Sequence, residues 1–123
     1  AKAELLSIQK KPTEALSVLD SILENHKTDP IIDQTLLVQA QLYESQNDFS
    51  KAEANYIRII RDYKDDILVD DAYFNLAELY RTKLQQLEKA KLNYETIIFN
   101  HEDSIHFVEA RKQYRILRGD AIN

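Results

Sequence analysis

Alanines and large apolar side chains recur along this chain at a fixed long interval, and within each interval they fall at helical spacing. Ala3, Ala40 and Ala77 stand 37 residues apart, and each is followed three positions on by a large side chain, Leu6, Tyr43 or Tyr80. A second series, Ala15, Ala52 and Ala90, steps by 37 and then 38. Its followers at offsets 4, 7, 8 and 11 are Leu19, Ile22, Leu23 and His26, then Tyr56, Ile59, Ile60 and Tyr63, then Tyr94, Ile97, Ile98 and His101. Such offsets trace one face of a helix at 3.6 residues per turn. Each unit therefore holds two helices, A with the first alanine series and B with the second. A small residue marks where two helices approach closely, and the large residue one turn later fills the adjoining gap. The pattern predicts seven helices, at 1–9, 12–26, 30–46, 49–63, 67–83, 87–101 and 105–118. It predicts an all-α single domain with units at 1–29, 30–66 and 67–104 and a terminal helix at 105–118.

The turns between units carry the same period. Asp29, Asp66 and Ser104 are separated by 37 and 38 residues, and each stands just before an A helix. Asp and Ser are favoured helix caps because a side-chain oxygen accepts from a free N–H of the first turn. Pro30 follows Asp29 at a position where its missing N–H costs nothing. Asp33 and Asp70 fall in the first turn, where the helix dipole favours negative charge. This accounts for the most acidic stretch, "DYKDDILVDD" from Asp62 to Asp71, as the start of a helix. Asp66, Asp70 and Asp71 serve the helix, while Asp62 and Asp65 are solvated turn residues. A calcium loop needs alternating ligands around a glycine, and the stretch has none.

"LLVQAQLYESQNDFSKAEANY" (Leu36 to Tyr56) and "YFNLAELYRTKLQQLEKAKLNY" (Tyr73 to Tyr94) resemble the tetratricopeptide repeat: a small residue, Tyr three later, then Ala, then an aromatic four beyond. The period of 37–38 exceeds the family's usual repeat of about 34 residues. The leading Trp position holds Leu36 and Tyr73, and in "FVEARKQYRILRG" Arg115 takes the small-residue position. The longer units are similar to repeats of bacterial envelope proteins, of the outer-membrane assembly lipoprotein and Tol–Pal-associated kinds, which implies the periplasm or cell envelope.

The resemblance implies a right-handed α-solenoid of stacked antiparallel helix pairs, a protein–protein interaction scaffold whose concave side, lined by A helices, holds a peptide or helix of a partner. It maps that groove onto Gln34, Leu37, Gln41 and Glu44, then onto Asp71, Phe74, Asn75, Glu78 and Arg81, with Glu109 and Lys112 extending it and Glu4 beginning it. Leu37 and Phe74 are the expected apolar anchors. Asn75 matches the asparagine of the family's carboxylate clamp, but Gln34, Leu37, Asp71 and Phe74 stand where the clamp needs lysines, so capture of chaperone tails is not expected.

Composition narrows the alternatives. The 123 residues carry a net charge of −5, with 30% charged and 44% hydrophobic residues, which fits a folded domain and not a disordered tail. No apolar run approaches the roughly 18 residues of a membrane span. One Gly and two Pro argue for helix throughout. A net acidic chain does not suit nucleic acid. Zero Cys removes thiolate chemistry. No nucleophile elbow, P-loop or zincin signature occurs, so neither catalysis nor a cofactor or metal is expected. His26 and His101 occupy equivalent positions two repeats apart, too far to share a metal, and His106 stands unaccompanied. Arg111, Lys112, Arg115 and Arg118 form a basic cluster, read either as the polar outer face of a capping helix or as a site for an anionic partner. The chain lacks an initiator Met and is expected to be a segment of a longer protein. In the rival reading it is a self-association module, forming a homodimer through an exposed end where Leu5, Leu6 and Ile8 lie uncovered.

Overall fold

The computed structural model describes residues 12–25, 31–64 and 68–119, and these are helical apart from short turns, with no strand among them. Two compact units form, Ala1–Tyr63 and Lys64–Asn123. In the first unit α1 (Pro12–Asn25) packs on α2 (Ile32–Ser45), which pairs with α3 (Phe49–Asp62). In the second, α4 (Val69–Leu79) runs into a π-helical turn (Tyr80–Leu84) and pairs with α5 (Leu87–Asn100), on which α6 (Phe107–Arg118) packs. Every described helix begins and ends within two residues of its expected bounds except α4, whose α-helical part stops at Leu79, four residues short of 83, and passes into the π turn. The helix expected at 1–9, with Glu4, Leu5, Leu6 and Ile8, lies outside the described residues. So do His26, Asp29, Pro30, Asp65 and Asp66.

The alanines lie where helices meet. Ala15, Ala40, Ala52, Ala77 and Ala90 are fully buried, and Tyr56 and Tyr94 fill the space one turn beyond the B-helix alanines with no exposed surface. The pairing repeats in its polar contacts as well. Lys51 of α3 lies 5.6 Å from the Tyr43 ring centre, and Lys89 of α5 lies 5.6 Å from that of Tyr80. A further series, Thr35, Ala72 and Ala110, steps by 37 and 38 and is also buried. In α6 this series, and not Arg115, provides the buried small residue. Its helix contact is with the preceding α5, whereas the Ala40 and Ala77 positions serve contact with a following B helix.

The two helix pairs differ by one residue in their connection. Ala40 and Ala52 are 12 apart, Ala77 and Ala90 are 13 apart. The first connection turns through Asn47, whose φ of 62° is left-handed, with the Asp48 N–H donating to the Tyr43 carbonyl at 2.8 Å. Asn adopts this conformation more readily than most side chains. The second connection widens the end of α4 into the π turn before reaching a left-handed Gln85 at φ 55°, and the Gln86 N–H donates to the Tyr80 carbonyl at 2.9 Å. A π turn holds one residue more than the α turn it replaces. The surplus residue is absorbed there, and Ala90 takes the buried position that Ala52 takes in α3.

Capping departs from expectation at Ser104. Helix α6 starts at Phe107, two residues later than expected, because the chain first closes a tight turn in which the Ser104 N–H donates to the His101 carbonyl at 3.0 Å. The Ser104 hydroxyl accepts from the His106 N–H at 3.0 Å, so it caps that turn and not the helix itself. Asp33 lies in the first turn of α2 as expected, buried, with its carboxylate accepting from the Gln34 N–H at 2.9 Å.

The first unit has a polar core with no counterpart among the described residues of the second. Gln39 is only 2% exposed, donates to Asp20 of α1 at 2.5 Å, and accepts from Asn55 of α3 at 2.7 Å. Asn55 also donates to the Leu36 carbonyl at 3.2 Å. One buried amide thus ties three helices together. The corresponding residue of the second unit, 37 positions on, is the buried Leu76.

Candidate partner-binding surface

In the first unit Gln34, Leu37, Gln41 and Glu44 all lie on α2. Gln34 and Gln41 are exposed, while Leu37 and Glu44 are half-buried. Glu44 is committed internally, because its carboxylate accepts the hydroxyl proton of Tyr56 on α3. Burial, followed by that carboxylate, pushes the Tyr56 phenol far above its ordinary value. Leu37, Gln34 and Gln41 are the side chains of this set that the fold leaves available.

In the second unit Asp71, Phe74, Asn75 and Glu78 lie on α4 and Arg81 in the π turn, all half-buried. Most are already engaged. Asp71 faces the imidazole of His106 at 2.6 Å between Oδ1 and Nε2. The His106 ring stacks on Phe74, with centres 4.3 Å apart and planes 7° from parallel. Phe74 in turn meets Tyr94 edge-on at 6.1 Å. Arg81 closes the row, donating to the Tyr94 hydroxyl at 3.0 Å and pairing with Glu78. Three helices contribute to this polar–aromatic row: α4 with its π turn, α5 through Tyr94 and the start of α6 through His106.

Two expectations change here. His106 is not unaccompanied, since it joins Asp71 and Phe74 from 35 and 32 residues away. Phe74 is also not a free anchor, because one ring face lies against His106. Asn75 is half-buried, and its amide makes no side-chain hydrogen bond among the described residues. On α6, Glu109 is exposed and accepts from Gln113 at 2.8 Å, and Lys112 is exposed.

Glu44 and Arg81 hold equivalent positions 37 residues apart with opposite charge. Each reaches the buried tyrosine of its B helix. A phenol hydroxyl both donates and accepts, so the same tyrosine position tolerates an acid in one unit and a guanidinium in the other. Burial raises the Tyr94 phenol to about 12, with the Arg81 hydrogen bond pulling the other way. No group of three or more His, Cys, Asp or Glu side chains able to hold a metal occurs among the described residues. No helix among them is long and apolar enough to cross a membrane.

No curated protein matches the chain. Residues 71–104, from the first turn of α4 to the turn after α5, match the family model described as tetratricopeptide repeat. The matched helix pair is the one whose alanine contacts, tyrosine filling and lysine–tyrosine stacking recur in α2 and α3, and the match supports the tetratricopeptide repeat family for this chain.

Proposed function

We propose that this is a non-catalytic protein-interaction module that seats a peptide or helix of a partner on its A-helix surface. The observation that carries the reading is Leu37, an apolar side chain left partly exposed on α2 between the available amides of Gln34 and Gln41. Apolar side chains that the fold does not consume are natural anchors, and polar neighbours set register. Asn75 and Lys112 offer the same polar function in the second unit. The polar–aromatic row acts as a rigid floor, because Asp71, Glu78 and Arg81 are held by internal partners. The 37–38-residue period supports the long-repeat type found in bacterial envelope assembly proteins, and with it an envelope setting.

The test is site-specific photo-crosslinking in cells of the source organism. A crosslinking side chain placed at Gln34, Gln41 or Asn75 should capture one common partner. The same group at Ala54 or Lys89, on B helices, should not. Capture only from the B-helix positions would sink the reading. Leu37→Ala should weaken the captured partner's binding by about 1–3 kcal/mol with little change in melting, as loss of an interface anchor does.

A further inference from the structure

The outward face of α5 is unlike that of the other two B helices. Glu88, Leu92, Glu95 and Phe99 follow one another at steps of 4, 3 and 4, opposite the buried stripe Ala90, Tyr94 and Ile97. Leu92 is 60% exposed and Phe99 66%. Counted from the B-helix alanines, the positions of Leu92 hold Ser17 and Ala54 in the other units, and those of Phe99 hold Glu24 and Arg61. The repeat therefore builds its core without a large apolar residue at either place, and something other than the fold has use for these two.

Helix α6 shows the complement. Val108, Lys112 and Arg115 follow at steps of 4 and 3, away from the buried Ala110, and all three are exposed. Arg111 and Arg118 lie over the rings of Phe107 and Tyr114 on their own helix, at 5.4 and 5.1 Å. Lys112 and Arg115 have no such partner among the described residues, and neither does Glu95. Glu88 holds only an exposed bridge to Lys91 at 3.2 Å. One helix thus presents acid and apolar residues in alternation, and the other presents an apolar residue and two cations at the same pitch.

We propose that α5 of one copy docks antiparallel on α6 of a second copy, so that two identical seams close a symmetric dimer. In that register Phe99 meets Val108, Glu95 meets Lys112, and Leu92 lies on the methylenes of Arg115, whose guanidinium reaches toward Glu88. Pairing α5 with its own copy would bring no cation of this face to Glu88 or Glu95, whereas α6 supplies Lys112 and Arg115, so the complementary helix is the occupant that the charges select. This surface is distinct from the one proposed for the partner peptide. Lys112 belongs to both, while Leu92, Glu95 and Phe99 belong only to this one.

Sedimentation across a micromolar-to-millimolar series should show a monomer–dimer equilibrium that weakens as salt rises. Glu95→Lys and Lys112→Glu should each weaken it about tenfold, because symmetry counts each exposed charge pair twice. An equal mixture of the two variants should regain the wild-type dimer, since both seams of that heterodimer pair opposite charges. The double substitution Leu92→Ser with Phe99→Ser should abolish the dimer with melting unchanged, as both side chains face solvent in the monomer. A chain that stays monomeric at millimolar concentration overturns the proposal. So does a dimer indifferent to these changes, or a monomer whose α5 face instead binds a synthetic Leu/Lys amphipathic helix. Loss of dimer on Glu95→Lys with crosslinking at Gln34 and Gln41 intact separates this surface from the proposed peptide site.

Discussion

Two tyrosine hydroxyls show how far a single residue could be read in advance. The buried positions of Tyr56 and Tyr94 follow from helical spacing alone, but their partners do not. Glu44 and Arg81 are exposed-type residues twelve and thirteen positions upstream, of opposite sign, and nothing local marks them as internal. His106 is the clearer case. Its pairing with Asp71 depends on α6 packing on α5, which no local pattern of polar residues encodes. The Tyr94 phenol carries a measurable consequence. Its folded value is raised from 10.0 to about 12 by burial, so the folded chain holds a proton that the unfolded chain releases. The stability from this group is fully present below about pH 10 and is lost as pH rises toward about 12. Alkaline melting curves should fall through that window, and Tyr94→Phe should flatten the fall. At neutral pH the same change should cost about 0.5–1.5 kcal/mol for the lost Arg81 hydrogen bond. An unaltered alkaline profile in the variant would place the titration elsewhere.

At the scale of the element, helix positions were legible because a period of 3.6 survives any local exchange of one apolar residue for another. Exact starts were less legible, because Ser104 can cap either a turn or a helix, and only the backbone path after α5 decides which. The connection of the second helix pair was half legible: the spacing of 13 in place of 12 is visible, but not the device that absorbs it. If the π turn only stores a surplus residue, deleting the exposed Thr82 should restore the 12-residue spacing of the first pair. Helicity should persist, the melting midpoint should hold or rise, and Arg81 should stand to Tyr94 as Glu44 stands to Tyr56. A collapse in circular dichroism would show that the wide turn is needed in its own right.

Across the whole chain, the two units share one plan but are not held together in the same way. The first relies on the Asp20–Gln39–Asn55 network and the second on an apolar residue at the matching place, with aromatic stacking at His106 and Phe74. Replacing Gln39 by Leu, the residue found at 76, should therefore not be neutral. It removes the side-chain acceptor of the half-buried Asn55 amide, leaving the exposed Asp20 carboxylate to water, and should cost about 1–3 kcal/mol in urea unfolding. Helical repeats draw stability from each unit and its neighbours. Amide exchange should accordingly quicken most in residues 12–62 and least in α5 and α6. Uniform quickening would mean that the chain opens as one body. The π turn has a separate consequence for how such a sequence can change over time. A surplus residue inside a helix rotates everything after it by about 100°, enough to swing a buried alanine out to solvent. Because the wide turn takes up that rotation before α5 begins, a one-codon insertion at this point leaves the downstream register intact. Repeats built this way can lengthen one residue at a time without passing through an unfolded ancestor.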